Sequence, residues 1–219
     1  MKGNVVVFDF DKTLTQQDTI LGFLNAVTNK PFKVVRSGVF LFFAVLHKLK
    51  IISNASLKQK GVDIFLKGMD KDELDKRAEI FASSIKFSDI YYNEFCKKYP
   101  QAIIATASYY NYLKPIFPGN KIICSHLLYE NNHVTSLINN AFGAQKASQL
   151  VKEGISNVDI FYTDSINDQS VMDMSDVVYL VKKDKIDRFI SYVGKKYAEK
   201  TNYKADFYLA EIVDGVCKI

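Results

Sequence analysis

Val5-Val6-Val7-Phe8 is an apolar run with no polar alternation, which predicts a strand buried on both faces, as inside a parallel sheet. After Thr15 the period becomes helical. Ile20, Leu21, Phe23, Leu24 and Val27 mark a first helix, closed by Asn29-Lys30-Pro31. Phe32 to Ile52 predicts one long helix, apolar on most sides. Leu57, Gly61, Ile64 and Phe65 carry a third helix that Gly68 ends. Asp70-x-x-Glu73 is a capping-box pattern opening a fourth, with Leu74, Ala78, Phe81 and Ile85 on its inner face. Ser88 can cap a fifth, running through Tyr91 and Phe95 to Tyr99.

From Gln101 short apolar strands alternate with helices. Strands are predicted over 102–105, 121–124, 158–162 and 177–181, and helices over 109–117, 146–151 and 166–174. Residues 127–130 and 133–136, joined by Asn131-Asn132, read as a hairpin. Asp184 can cap a last helix with Ile186, Phe189, Ile190 and Val193 on one face, and residues 201–219 carry no motif. One strand, a block of helices and then a strand–helix alternation predict an α/β fold, a doubly wound parallel sheet with a helical insertion after strand one. The core then comprises residues 1–16 and 100–219, and residues 17–99 form a helical cap. Ligands of such sheets sit at the C-terminal strand ends, beside which the insertion begins, so it is expected to cover the site.

That edge is where the polar residues gather. Asp9 and Asp11 end the first strand, on one side of an extended chain and about 6–7 Å apart. Two acids so close at the end of a buried strand need a positive partner. Strand 102–105 ends in Thr106-Ala107-Ser108, and strand 158–162 in Thr163-Asp164-Ser165-Ile166-Asn167-Asp168. Lys146 falls in the first turn of a helix, where a cation opposes the macrodipole, so its charge is expected to serve another partner.

Composition narrows the class further. The 219 residues are 48% hydrophobic and 24% charged, as in a water-soluble globular chain. A net charge of +5 from scattered lysines gives little support to nucleic-acid binding and fits an anionic substrate or an acidic membrane surface. Cys96, Cys124 and Cys217 are odd in number and form no zinc spacing with His47, His126 or His133, so a reducing cytoplasmic setting is expected. No signal peptide is expected ahead of the first strand. The uninterrupted apolar run 38–46 falls short of the roughly 20 residues of a membrane span, and Lys33, Arg36, Lys48 and Lys50 bracket it.

Asp-x-Asp-x-Thr, a Thr/Ser after a second strand, a Lys, and Asp-x-x-x-Asp after a later strand occur here in one order. Over about residues 4–185 the chain resembles the haloacid dehalogenase-like (HAD) phosphatases, in particular the subgroup with a helical cap that includes phosphoserine phosphatase and phosphatidylglycerophosphatase C-like enzymes. The resemblance implies Asp9 as nucleophile, Asp11 as acid and base, and Thr106 and Lys146 as phosphoryl and charge partners. It implies Mg²⁺ held by Asp9, the Asp11 carbonyl and Asp164, with Asp168 orienting Lys146 or waters on the metal. Thr13, Ser108 and Asn167 are further candidates for the phosphate, Ser108 as the alternative to Thr106. The family's usual Gly before Asp164 is Thr163 here.

The substrate must be read from the cap. Asp18 stands where phosphoserine phosphatases place an acid, but the helix around 56–67 offers Lys58 and Lys60 and no Arg. The apolar cap segment with basic flanks therefore turns the expectation toward a lipid-linked or other partly apolar phosphate, with peripheral membrane contact, ahead of phosphoserine. A catalytically retired fold serving as a binding module is the expectation of another class, opposed by the intact acids and Lys146.

Overall fold

The computed structural model describes residues 4–182, 185–191, 209–210, 212–213 and 216–217. β1 (Val6–Phe8), β2 (Ile103–Tyr109), β3 (Ile122–Glu130), β4 (His133–Asn139), β5 (Val158–Thr163), β6 (Ser175–Lys182), β7 (Lys185–Ser191) and β8 (Leu209–Ala210) form one sheet in the order β4-β3-β2-β1-β5-β6-β7-β8. β1 pairs in parallel with β2 and β5, as do β2 with β3 and β5 with β6, while the outer pairings are antiparallel. β9 (Ile212–Val213) and β10 (Val216–Cys217) make a separate antiparallel pair.

β1 is the central strand, and its uniform hydrophobicity follows from that position. Phe8 faces a core shared with Phe95, Tyr109 and Tyr162, whereas Val7 faces a second core with Leu150, Phe161 and Val171. Phe8 stacks on Tyr162 with ring centres 4.3 Å apart. Both faces are thus covered, as a doubly wound sheet requires.

Between β1 and β2 lie α1 (Ile20–Val27), α2 (Lys33–Lys48), α3 (Asn54–Gly61) and α4 (Lys71–Ser83). Ser53 caps α3 through its side chain, and Asp70 caps α4 by accepting from the amides of Asp72 and Glu73. Glu73 does not close the reciprocal bond of a capping box but pairs with Arg77 at 2.6 Å. α3 runs on into a π-helical turn over Val62–Leu66, and a second π-helical turn spans Tyr91–Cys96, opened by Ser88. α5 (Tyr110–Ile116), α6 (Ala144–Lys152) and α7 (Gln169–Met172) complete the α-helices among the described residues.

Three expectations change. The strand at 121–124 and the first hairpin arm are one continuous strand, β3, because its pairing passes from parallel β2 to antiparallel β4 without a break. The helix expected from Asp184 to Val193 is replaced over Lys185–Ser191 by strand β7, where antiparallel pairing with β6 overrides the helical spacing of Ile186, Phe189 and Ile190. Asp184, Val193 and most of residues 201–219 lie outside the described residues. The long apolar helix is α2, and it buries only Phe40 fully.

Candidate active site

The C-terminal ends of β1, β2 and β5 bring the predicted residues together. Asp9 directly follows β1, and its amide donates to the Tyr162 carbonyl at 2.8 Å, so the ladder with β5 holds its backbone. β2 bulges between Ala105 and Tyr109 in its pairing with β3, and Thr106, Ala107 and Ser108 occupy that irregularity. Asp164 follows β5, and the short 3₁₀ turn Ile166–Asp168 brings Asp168 back underneath. α6 begins at Gly143, whose φ of 56° and ψ of −129° suit glycine alone, and this turn delivers Lys146 into the interior.

Lys146 Nζ donates to Asp9 Oδ1 at 3.0 Å and lies 2.7 and 2.8 Å from the two oxygens of Asp168. All three side chains are buried. Both oxygens of Asp168 are turned to Lys146 while Thr163 Oγ1 donates to Oδ2 at 2.8 Å. The residue that stands in place of the usual Gly therefore contributes a hydrogen bond that a glycine could not make.

Asp11 faces the helical block. Its Oδ1 accepts from the Thr19 amide at 2.7 Å and the Thr19 hydroxyl at 2.6 Å, and its Oδ2 from Ser108 at 2.5 Å. Thr19 Oγ1 in turn meets Tyr112 Oη at 2.8 Å. Thr19 is the residue from which α1 starts.

Asp9, Asp11, Thr106, Lys146, Asp164 and Asp168 share the wall of a cavity of about 200 Å³, with Asp18 and Asn167 also on it. Two candidates stand elsewhere. Ser108 is buried behind Asp11 and is engaged with it. Thr13 is fully buried, its hydroxyl is without a hydrogen-bond partner, and its carbonyl accepts from Ser88 at 2.6 Å. A larger groove of about 530 Å³ between α4, α5 and β3 contains none of the motif residues.

The cavity wall also holds Lys58, which the sequence offered only as one of two cap cations, and Lys12, which the sequence did not single out. Lys58, on α3, is buried; its ammonium donates to the Ala107 carbonyl and to Ser125 Oγ, the latter at 2.8 Å. Lys12 adopts a left-handed φ of 57° and its charge acts on Asp164. Lys58 is paired with polar residues of α3 such as Gln59 and Lys60, so periodicity offered no sign that it points inward. For Lys12 the signal was positional, between two motif residues in a tight turn.

Electrostatics describe a site with excess negative charge. Burial pushes Asp9 up to about 8; Lys146 opposes this, while Asp168, Asp164 and Asp11 add to it. Burial and Asp18 lift Asp11 to about 6 against the hydrogen bonds from Ser108 and Thr19. Asp164 is raised by burial and Asp168, with Lys12 and Lys146 opposing. Burial works to lower Lys146, but Asp9 and Asp168 outweigh it and hold the ammonium above its ordinary value. Burial depresses Lys58 to about 7.

A cation would relieve this crowding. Among the described residues no three His, Cys, Asp or Glu side chains converge into a ready-made cage. Asp168 is taken by Lys146 and Asp11 by Thr19 and Ser108, which leaves the carboxylates of Asp9 and Asp164 and the backbone of Asp11. So sparse an oxygen set suits Mg²⁺, which keeps several waters, better than a metal needing a full protein shell.

The family model for haloacid dehalogenase-like hydrolases matches residues 6–173. Among solved structures, a HAD family hydrolase from Salmonella enterica serovar Typhi is similar with a TM-score of 0.60 at 14% identity, covering 78% of this chain and 60% of that one. A protein of unknown function from Bordetella pertussis Tohama I gives 0.65 at 16%, covering 78% and 86%. A substrate-bound phosphoserine phosphatase gives 0.58 at 16%, covering 81% and 85%. At these identities the likeness is one of fold. A galactokinase from Fusobacterium nucleatum is 52% identical over 42 residues, and the chain spans only 11% of its length. With the strand-end acids, the buried lysine and the match over 6–173 in agreement, the chain belongs to the haloacid dehalogenase-like hydrolase family.

Proposed function

We propose that the protein is a Mg²⁺-dependent phosphomonoester hydrolase acting through an aspartyl-phosphate on Asp9. The observation that carries this reading is the buried Asp9–Lys146–Asp168 chain at a cavity that Asp11 also lines. Asp9, Asp164 and the Asp11 carbonyl would hold the metal, which when bound neutralises phosphoryl oxygens and keeps Asp9 ionised. Asp9 attacks phosphorus as the ester P–O bond breaks, and Asp11 gives its proton to the departing alkoxide. Water then loses a proton to Asp11 and attacks phosphorus, the Asp9–phosphorus bond breaks, and inorganic phosphate leaves. Lys146, fixed by Asp168, supplies a preorganised positive charge beside Asp9, and Thr106 offers a hydroxyl to the phosphoryl oxygens.

The helical block 17–99 works in this reading as a cap and selects the alcohol, and the protein acts in the cytoplasm, in part at the membrane periphery. The exposed apolar face of α2 supports a lipid-linked or other partly apolar phosphate. Asp18 and Lys58 on the cavity wall favour a second reading, a phosphoserine phosphatase-like enzyme, since they offer an anion and a cation to a zwitterion. Hydrolysis of an aryl phosphate with and without Mg²⁺ tests the chemistry: turnover that needs the metal and vanishes in Asp9→Asn is expected, and rates equal to the buffer blank overturn it. A panel containing phosphoserine, sugar phosphates and phosphatidylglycerol phosphate tests the substrate. A specificity constant for phosphoserine orders of magnitude above the rest overturns the lipid preference.

A further inference from the structure

α2 turns a stripe of large apolar side chains to the outside. Val34, Val35, Leu41, Phe42 and Val45 recur at helical spacing and are exposed, Val34 by 86% and Phe42 by 60%. The turns at both ends extend the stripe: Phe32, at a left-handed φ of 58°, is 76% exposed, and Leu49 and Ile51 flank Lys50, at φ 59°. Scattered exposed apolar residues are ordinary, but a continuous stripe on one helix marks a surface that is covered in use.

Charge identifies what covers it. No Asp or Glu occurs between Asp18 and Asp63, and the same stretch carries Lys30, Lys33, Arg36, Lys48, Lys50 and Lys60. A second copy docking isologously through α2 would bring its Lys33, Lys48 and Lys50 against like charges, with no acid within α2 or the turns at its ends to offset them. An anionic lipid surface supplies both complements at once, acyl chains for the stripe and head-group charge for the rim. With 16 residues, α2 is shorter than the roughly 20 of a span, and among the described residues no helix is long and apolar enough to cross a membrane. We infer that α2 docks the protein on anionic bilayers by lying in the interface.

The docking stands apart from the chemistry proposed above and rests on it only for the meaning of the location. α3, which follows α2 after the turn at 49–53, carries Asn54 and Lys58 to the cavity wall, so the docked helix and the catalytic mouth are adjacent in the chain. A phosphate monoester in the head-group layer is then the substrate met there.

Co-sedimentation of the full chain with phosphatidylcholine vesicles, with and without phosphatidylglycerol, tests the inference beside the Leu41→Glu/Phe42→Glu double variant. The wild type is expected to sediment with the anionic vesicles and the double variant to stay in solution, while both hydrolyse a soluble aryl phosphate at the same rate. Lys48→Gln and Lys50→Gln should each weaken binding about fivefold. Equal sedimentation of wild type and double variant, absence of binding to anionic vesicles, or a dimer in gel filtration that the double variant dissolves overturns it. Vesicle binding without phosphatase activity would instead sink the catalytic reading and leave the docking intact.

Discussion

Asp168 grips Lys146 with both carboxylate oxygens, at 2.7 and 2.8 Å, while Asp9 accepts from the same ammonium at 3.0 Å. The ammonium is therefore fixed by three carboxylate oxygens, two of them from Asp168. Asp168→Asn keeps the shape but removes the charge, so kcat should fall by about 10²–10³ as the preorganised cation loses its anchor. Steady-state kinetics on an aryl phosphate measure this, and a rate within twofold of wild type contradicts it. The same change leaves a buried lysine underpaired and should destabilise by about 3–5 kcal/mol, read by urea unfolding.

The two carboxylates flanking the reaction should respond differently to loss of charge. Asp9→Asn is expected to remove turnover for every ester. Asp11→Asn should lower the rate for alkyl phosphates by about 10²–10⁴ and affect nitrophenyl phosphate much less, because a good leaving group needs no proton. A leaving-group series measures it; a uniform loss would show that Asp11 does not act as the acid.

Thr19→Val removes one hydroxyl donor from Asp11, and Ser108→Ala another. Hydrogen bonds to a carboxylate contribute about 1.5–3 kcal/mol, so each variant should slow alkyl phosphate hydrolysis by about 10–100-fold with KM nearly unchanged. Raised KM at constant kcat would instead place these hydroxyls in substrate binding.

How much of this was legible without coordinates depended on whether a residue's role was local. β1 could be read because its burial on both faces suppresses polar alternation, and Asp70 because capping acts within one turn. Asp9, Thr106, Lys146, Asp164 and Asp168 could be read because each sits at a strand end or helix start that the topology brings to one edge. Ser108 and Thr13 follow the same pattern, but side-chain direction within a bulge or tight turn is set by partners far away in sequence, Asp11 for one and Ser88 for the other. The inward direction of Lys58 was hidden for a similar reason, since its acceptors, Ala107 and Ser125, come from β2 and β3. On α2 the apolar period was clear but not the direction it faces, because periodicity fixes a stripe and says nothing of what lies against it.

Lys58 also gives the protein a pH signature. Burial brings it from 10.5 to about 7 in the folded state, so below about pH 7 it is protonated both folded and unfolded. Between about 7 and 10.5 the unfolded chain binds the extra proton, and stability rises with pH across that window. The stability of wild type relative to Lys58→Met should therefore grow by about 2 kcal/mol from pH 7 to pH 9 in urea unfolding. A difference that stays flat contradicts a depressed lysine.

Chelation should be reversible. EDTA is expected to abolish turnover and Mg²⁺ to restore it, whereas Asp164→Asn should require much higher Mg²⁺ for half-activity. Titration of activity against Mg²⁺ measures this, and an unchanged midpoint would remove Asp164 from the metal's ligands.

The pairing of Thr19 with Asp11 has a mechanical side. Thr19, the residue from which α1 starts, also gives Asp11 two of its three donors. A displacement of that end of α1 by a few ångströms would break both bonds in one stroke and remove two of the groups that hold the Asp11 carboxyl down. In the proposed mechanism Asp11 would then keep its proton more tightly, so the strength of the acid would be coupled to where α1 starts.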